Sequence, residues 1–477
     1  MTTLDEEKFE QQTWTARLRR PVPAYDRLLE REFETPEEQN AHVEQSLGAM
    51  LRFASRGVRH YRDAFRHAGI VASDTDPTKL LAALPILTKL DIQDAGSALR
   101  ADTLPPGERP GGWAQSSGTT GTPTRVLHSI RSASMSTLLK QREYRWFRLD
   151  PSGALAAMRL GSQLPRKADG SEIGVGEIAR LEAWPHMDNF QTGPFAAMSV
   201  FTPTDERIAW MRRECPDYLM TFSETLEHVA LAAGDQRPAE SLKAVLSISE
   251  ELTPSMRGYV ERRFGTPVYQ NYGLNEIGLV ATRCNAGRYH VHNEHCLVEI
   301  VDDAGRACAP GETGRVVVTS LTNFAMPLIR YDSGDLAETI SGDCPCGRTL
   351  PSFGEIAGRY GRIVFLPKGT IIVVAALRDA IEKMPTDLVR DLREFQIHQY
   401  TDRRMELRLV TRALLPEAFF ETLRAAWARE SGPGAPDLSF RAVNEIPRSP
   451  GGKSQVFTSA FVPARDSERR LRPRAGK

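Results

Sequence analysis

Between Trp113 and Tyr272 the chain repeatedly sets a short apolar run beside a helical stretch; Ala154 to Leu160, Tyr218 to Phe222, Ala244 to Ile248 and Pro267 to Gln270 are such runs. Apolar runs of this length, separated by helices, read as strands buried on both faces of a sheet, which is the pattern of a mixed α/β domain. Residues 289–340 differ. Val298-Glu299-Ile300-Val301, the turn Asp303-Ala304-Gly305 and Gly314 to Thr319 mark a β-rich subdomain. After Gly358-Arg359 comes a compact α+β unit: a strand at Ile363 to Leu366, a helix over Val374 to Glu382, strands at Glu394 to Tyr400 and Met405 to Val410, and a helix from Pro416 to Ala428.

The expected fold class is therefore α/β. A large N-terminal mixed domain with its β-rich subdomain covers 1–358, a hinge covers 359–362, and a small C-terminal α+β domain covers 363–464. The tail, 465–477, mixes Arg, Asp, Glu and Pro without apolar periodicity and is expected to be disordered. A length of 477 residues suits two or three domains. Near the start, Ala41 to Ala68 carries apolar residues at spacings of three and four, as one amphipathic helix ending near Gly69. Thr88, with Asp91 three residues on, reads as the N-cap of another.

Lys plus Arg number 61 and so do Asp plus Glu, so no global field draws the chain to nucleic acid or to an anionic membrane. The start, Met1 to Glu7, is acidic without an apolar signal core, and no run approaches the roughly 18 apolar residues of a membrane span. A cytoplasmic protein is expected. Six cysteines are too few for a disulfide framework in a chain of this size.

Ser116-Ser117-Gly118-Thr119-Thr120-Gly121-Thr122-Pro123 packs two glycines and five hydroxyl residues into eight positions. Glycines admit an anion close to the backbone, and amides and hydroxyls donate to phosphate oxygens, so the segment can cradle phosphate. Its composition also suits a flexible surface loop. It is not a Walker loop, because Thr122-Pro123 follows Gly121 where Lys-Ser or Lys-Thr would stand.

The loop is followed by Tyr272-Gly273-Leu274-Asn275-Glu276, Arg330-Tyr331-Asp332-Ser333-Gly334-Asp335, Gly358-Arg359 and Gly451-Gly452-Lys453, in that order. In this order the segments resemble the adenylate-forming superfamily, and they look closest to its phenylacetate:CoA ligase-like branch. The branch features are Tyr61-Arg62-Asp63-Ala64-Phe65, Leu84-Pro85 with Thr88-Lys89, and Cys344-Pro345-Cys346-Gly347-Arg348. The likeness runs from about Tyr61 to Phe457.

The resemblance implies an AMP-forming ligase that uses ATP and Mg²⁺ to convert a small carboxylic acid into an acyl adenylate, then passes the acyl group to CoA. Ser116, Ser117, Gly118, Thr119, Thr120 and Gly121 would hold the β- and γ-phosphates. Ser249 and Glu250 would line the adenine pocket, Tyr272, Gly273 and Asn275 would pack on the adenylate, and Glu276 would hold Mg²⁺. Asp335 would take both ribose hydroxyls, as a carboxylate can. Arg359 would contact the nucleotide at the hinge. Lys453, in the Gly/Pro-rich loop of a mobile small domain, would supply the cation that joins two anions at the α-phosphate.

Cys284, His290, Cys344 and Cys346 together offer three thiolates and an imidazole, a tetrahedral zinc set, and some members of the branch carry a metal at this place. The bland reading is a group of buried free thiols. His292, His295, Cys296 and Cys308 are nearby packing or surface residues.

Several positions depart from the family. Asn275 and Ser333 stand where Thr is usual, Arg362 falls where a hinge Asp is usual, and Pro367 to Val374 keeps its Gly but lacks the usual Asn and Pro. Arg378 replaces a usual Glu. That segment helps build the thiol-accepting arrangement, so alternatives stay open: transfer to a carrier-protein thiol, an amine or another nitrogen nucleophile, or a catalytically inactive nucleotide-binding homologue. Trp184, His186, Phe190, Phe195, Phe222 and Ser223 are acid-pocket candidates that suggest an aryl substrate, and each is equally an ordinary core residue. No nucleic-acid or membrane partner is expected, and a homodimer is allowed.

Overall fold

The computed structural model describes residues 13–69, 76–115, 124–167, 169–249, 252–359, 364–366, 369–371, 377, 380–381, 383–402, 404–431, 437–447 and 457–460. The expected helix over Val374 to Glu382 and the tail 465–477 lie wholly or largely outside these residues.

A hairpin of β1 (Pro110–Gln115) and β2 (Arg125–Ser129) stands apart from the larger sheets. The central sheet has nine strands, made from β3 (Leu155–Arg159), β4 (Ile178–Leu181), β5 (Phe195–Ser199), β6 (Tyr218–Phe222), β7 (Ala244–Ile248), β8 (Val268–Leu274), β9 (Gly278–Arg283), β10 (Tyr289–Val291) and, later in the chain, β14 (Ser352–Phe353). Its order is β14-β10-β9-β8-β7-β6-β3-β5-β4. The run β8-β7-β6-β3-β5 is parallel, so five strands end at one edge of the sheet. In parallel open sheets the crevice beyond those carboxyl ends is where ligands bind.

The apolar runs that predicted these strands are buried for the expected reason. Every residue of β6 and β7 is buried, and the few hydroxyls are satisfied internally: Thr221 Oγ1 donates to Met158 O at 3.0 Å, and the Ser223 and Ser247 hydroxyls meet at 2.6 Å. The β-rich segment is an antiparallel sheet of β11 (Cys296–Val301), β12 (Thr313–Ser320), β13 (Tyr331–Glu338) and β15 (Ile356–Arg359). Beyond it lie the hairpin β16 (Val364–Leu366) and β17 (Gly369–Ile371), and a four-stranded sheet of β18 (Leu392–Gln399), β19 (Met405–Thr411), β20 (Leu438–Ala442) and β21 (Phe457–Ser459).

The single helix expected over Ala41 to Ala68 is two. α1 (Pro36–Gly57) begins at a Thr35/Glu38 capping box, and α2 (Arg59–Ala68) ends on Gly69 in the left-handed region, φ 66°. The break is Val58, which is extended (φ −126°, ψ 116°), fully buried and bridged to Ala101. Apolar periodicity continues across the break, which hides it from the sequence. α3 (Lys89–Ala95) starts with the Thr88/Asp91 capping box as expected.

α4 (Ile130–Trp146) follows β2, and α5 (Ser223–Ala233) follows β6. From Ser223 to Leu231 α5 is buried all round, because the sheet, the flanking helices Thr204–Glu214 and Pro254–Phe264, and β18 all pack on it. Arg393 Nη1 donates to Ala232 O at 3.2 Å across that contact, and His228 Nδ1 lies 3.9 Å from Glu394 Oε1. Among the described residues no helix is long and apolar enough to cross a membrane.

Candidate active site

β8 leaves the parallel edge through Tyr272, Gly273 and Leu274, and the chain turns at Asn275-Glu276 into β9. The turn needs glycine at 278. Its φ is +108°, and a Cβ there would lie 2.9 Å from Ser136 Oγ and 3.1 Å from His295 Nε2. His295 holds the turn from beneath: Nε2–H donates to Ile277 O at 2.9 Å, and Nδ1 accepts from the Thr322 hydroxyl at 2.7 Å. Complete burial pushes its pKa down to about 4, which keeps the ring neutral in that role. Glu276 is 8% exposed, and among the described residues no cation pairs with it. A carboxylate so placed can accept a metal ion.

The same turn grips both stems of the Ser116–Pro123 loop. Asn275 Nδ2 donates to Gln115 O at 3.2 Å, and His128 Nε2 donates to Asn275 O at 3.2 Å. Gln115 and Arg125 are paired across the hairpin, so the loop leaves and returns beside Glu276. Ser116, Ser117, Gly118, Thr119, Thr120 and Gly121 themselves lie outside the described residues, as do Glu250 and Lys453.

Asp335 reaches this turn from the neighbouring sheet. It is 4% exposed, and the Tyr272 hydroxyl donates to its Oδ2 at 2.8 Å. Asp335 N–H donates to Ser333 Oγ at 3.1 Å, which in turn donates to Val316 O at 2.9 Å, so Ser333 fills a backbone-fixing role within the motif. In the β13–β15 register Asp335 stands opposite Arg359. Ser249 follows the carboxyl end of β7 in the left-handed region, with φ 62°. Thus Tyr272, Gly273, Asn275, Glu276, Asp335 and the backbone of Arg359 converge at the loop stems, and Ser249 stands at the same parallel edge, after β7.

Sequence reasoning missed the bracing. The Tyr61 hydroxyl donates to Pro327 O at 3.0 Å and accepts from Ile329 N–H at 2.9 Å. Arg330, at φ 53°, donates to Leu84 O at 3.0 Å and pairs with Glu299 at 3.1 Å. Leu87 exchanges backbone hydrogen bonds with Arg330 and Asp332 at 2.8 and 2.9 Å. The N-terminal branch motifs therefore hold β13, and with it Asp335, from behind. His128 was also missed; a lone histidine five residues after Pro123 gave no signal.

Three acid-pocket candidates are core residues. Trp184 donates Nε1–H to Gly153 O at 3.0 Å and packs edge-on to Tyr144 and Tyr218. Phe190 packs against Trp14 and Tyr25, and Phe195 is buried at the amino end of β5. Phe222 and Ser223 do stand at the parallel edge, and His186 is exposed with φ 63°.

Cys284, His290, Cys344 and Cys346 meet as expected, their donor atoms all within 4.8 Å of one another. The Cys284 and Cys344 sulfurs are 3.6 Å apart and Cys346 Sγ is 3.2 Å from His290 Nε2. The edge of a zinc–thiolate tetrahedron with bonds of about 2.3 Å is roughly 3.8 Å, so the donor set fits the ion. His290 Nδ1–H donates to Leu350 O at 3.0 Å, which turns Nε2 inward. Hydrogen bonds from Cys284 and His290 hold the Cys346 thiol far below its usual range, while Cys284 is raised by the same neighbour. His292, His295 and Cys296 are buried beside this region and take no part in it.

A family model described as AMP-binding enzyme matches residues 194–326. The phenylacetate-coenzyme A ligase of Thermus thermophilus is 29% identical over 332 residues, covering 68% of this chain and 71% of the relative. That of Escherichia coli K12 is 28% identical over 345 residues, covering 71% and 75%. These likenesses support an adenylate-forming, phenylacetate-CoA ligase-like protein. It is accordingly an AMP-forming ligase of the acid:CoA ligase-like class. The crystal structure of 2-hydroxyisobutyryl-CoA ligase in the postadenylation state with 2-HIB-AMP shares the fold at a TM-score of 0.70 and 18% identity, over 92% of this chain and 93% of that one.

Proposed function

We propose that this adenylate-forming enzyme uses Mg·ATP to activate a small carboxylic acid, forming an acyl adenylate with release of pyrophosphate, and then transfers the acyl group to the CoA thiol. In the first step the acid's carboxylate oxygen bonds to the α-phosphorus and the bond to the β-phosphate oxygen breaks. In the second the thiolate sulfur bonds to the acyl carbon and AMP leaves. The observation that carries this reading is the convergence of the loop stems, Glu276 and the Tyr272–Asp335 pair on one edge of the parallel sheet.

In this reading Asp335 accepts from the ribose hydroxyls with its position fixed by Tyr272, while Ser249 and Glu250 border the adenine with Tyr272, Gly273 and Asn275. Glu276 would hold Mg²⁺, which when bound would supply charge compensation for the phosphates that the Ser116–Gly121 loop would gather. Lys453 and Arg359 complete the site from the hinge 359–362 and the small domain 363–464, whose rotation separates the two half-reactions. The solved relative with 2-HIB-AMP and CoA in its thioesterification state supports CoA as acceptor by likeness. Zinc on Cys284, His290, Cys344 and Cys346 is structural, tying the β9–β10 turn to the segment before β14; the four side chains supply its whole coordination sphere.

The test is an acid-library pyrophosphate assay, repeated with CoA and products identified by mass. Lys453→Ala should cut pyrophosphate release by roughly 10²- to 10³-fold, the cost typical of losing one group that stabilises the transition state. Wild-type rates in that variant exclude the role of Lys453, and release of ADP in place of AMP excludes adenylation. Acyl-AMP formed without thioester in the presence of CoA directs the second step to a carrier thiol or an amine.

A further inference from the structure

At the parallel edge, three strands from Tyr272, stands an arginine that has no counter-ion among the described residues. Arg159 ends β3 and is half-buried; its Nε donates to Gln163 Oε1 at 3.0 Å, Nη1 lies 3.5 Å from the Met220 sulfur, and its guanidinium sits 5.7 Å from the centre of the Phe222 ring. Among the described residues no carboxylate pairs with it. A guanidinium in such a place gives up water without gaining a charge partner, and that is costly unless an anion arrives.

Partial desolvation first, and then the charges of Lys140 and Arg159, lower the pKa of the nearby His186, while Asp188 acts the other way. The nearest acid on α4, Glu143, is already committed: Oε2 takes Lys140 Nζ at 2.7 Å and Oε1 accepts from Asn271 Nδ2. Tyr144, also beside Arg159, is neutral because burial raises its hydroxyl. Phe222 and Met220 supply an apolar wall to the same space.

Resting on the adenylation reading, we infer that Arg159 is a specificity-determining residue which binds a second anionic group, a carboxylate or sulfonate, at the far end of the substrate acid. β3 lies beyond β7 and β6 from β8, three strand spacings or about 14 Å at the backbone. The reacting carboxylate stands at the Tyr272–Glu276 turn, and side chains reaching inward from both ends leave a gap suited to one aromatic ring between two acidic groups. Arg is the side chain that takes a carboxylate through two parallel hydrogen bonds.

The experiment compares benzoate and phenylacetate with their para-carboxy and para-sulfo counterparts, in pyrophosphate release and in thermal shift with Mg·ATP present. Wild type should prefer the doubly anionic acids, and Arg159→Met should lower kcat/KM for them on the order of 10- to 100-fold, the range for a hydrogen-bonded charge, while changing the singly charged acids less than about threefold. Arg159→Lys should restore part of the preference and serves as the comparison if the Met variant fails to fold. A wild type that prefers the singly charged acids, or an Arg159→Met variant that loses both classes equally, overturns the proposal. If no acid releases pyrophosphate but the diacids still raise Tm in wild type and not in Arg159→Met, adenylation falls and the anion site stands; absence of both responses overturns the site.

Discussion

The residues of the site differ in what fixes them. Asp335 and Tyr272 hold each other, Asn275 is held by Gln115 and His128, and Glu276 follows from Asn275, so the carboxylates are positioned before nucleotide arrives. Beneath them His295 works only as a neutral ring, because it accepts from Thr322 while donating to Ile277. Its pKa of about 4 lies below an ordinary 6.5, so the unfolded chain binds more protons between those values and stability falls as pH drops through that window. The full contribution, present above pH 6.5, is about 3 kcal/mol for a shift of that size. We expect the wild-type Tm to fall between pH 6.5 and 4, and His295→Gln to have a lower Tm at pH 7 with a flatter decline. A variant whose acid decline matches wild type would remove His295 from that role.

Elements show how much was legible and why. β6 and β7 were read to the residue, because strands covered on both faces leave continuous apolar runs. The Thr88 capping box was legible because it is local in sequence. The break at Val58 was not, since long-range burial and the bridge to Ala101 impose it. Phe195 at the amino end of β5 and Phe222 at the carboxyl end of β6 look alike in sequence, and only the parallel order separates them, while Trp184 and Phe190 fill the core from the β4–β5 connection, the core alternative that the sequence left open. The Cys/His cluster was legible in its four members, and the strand pairing of β10 with β9 and β14 brings its parts together. Purified protein should carry about one zinc, and chelation should cost on the order of 3 kcal/mol, the linkage expected when free metal exceeds its Kd by a hundredfold or more. Cys346→Ser should show the lower Tm without chelator and no further loss with it. Fully stable protein that contains no zinc and takes none up would sink the metal and leave a thiol cluster.

At the scale of the whole molecule, the contact of α5 with β18 sets how the C-terminal sheet meets the central one. An apolar core runs from the central sheet into the C-terminal one, yet where α5 meets β18 the contact also carries Arg393, Glu394 and His228. Polar faces suit an interface that opens and closes. On the proposed division at 359–362, one half-reaction uses this docked arrangement and the other requires the sheet to leave it. Removing the Arg393 hydrogen bond to Ala232 should weaken docking by about 1 kcal/mol, roughly fivefold in the balance of docked and released forms. Arg393→Ala should therefore shift the ratio of pyrophosphate release to thioester formation by about that factor, measured in single turnovers of each step. Arg424, exposed on α6 (Glu417–Ser431) of the same unit, provides the control, and Arg424→Ala should leave the ratio unchanged. If Arg393→Ala slows both steps equally, the contact is a fixed part of the fold, and the motion that separates the half-reactions must take place elsewhere.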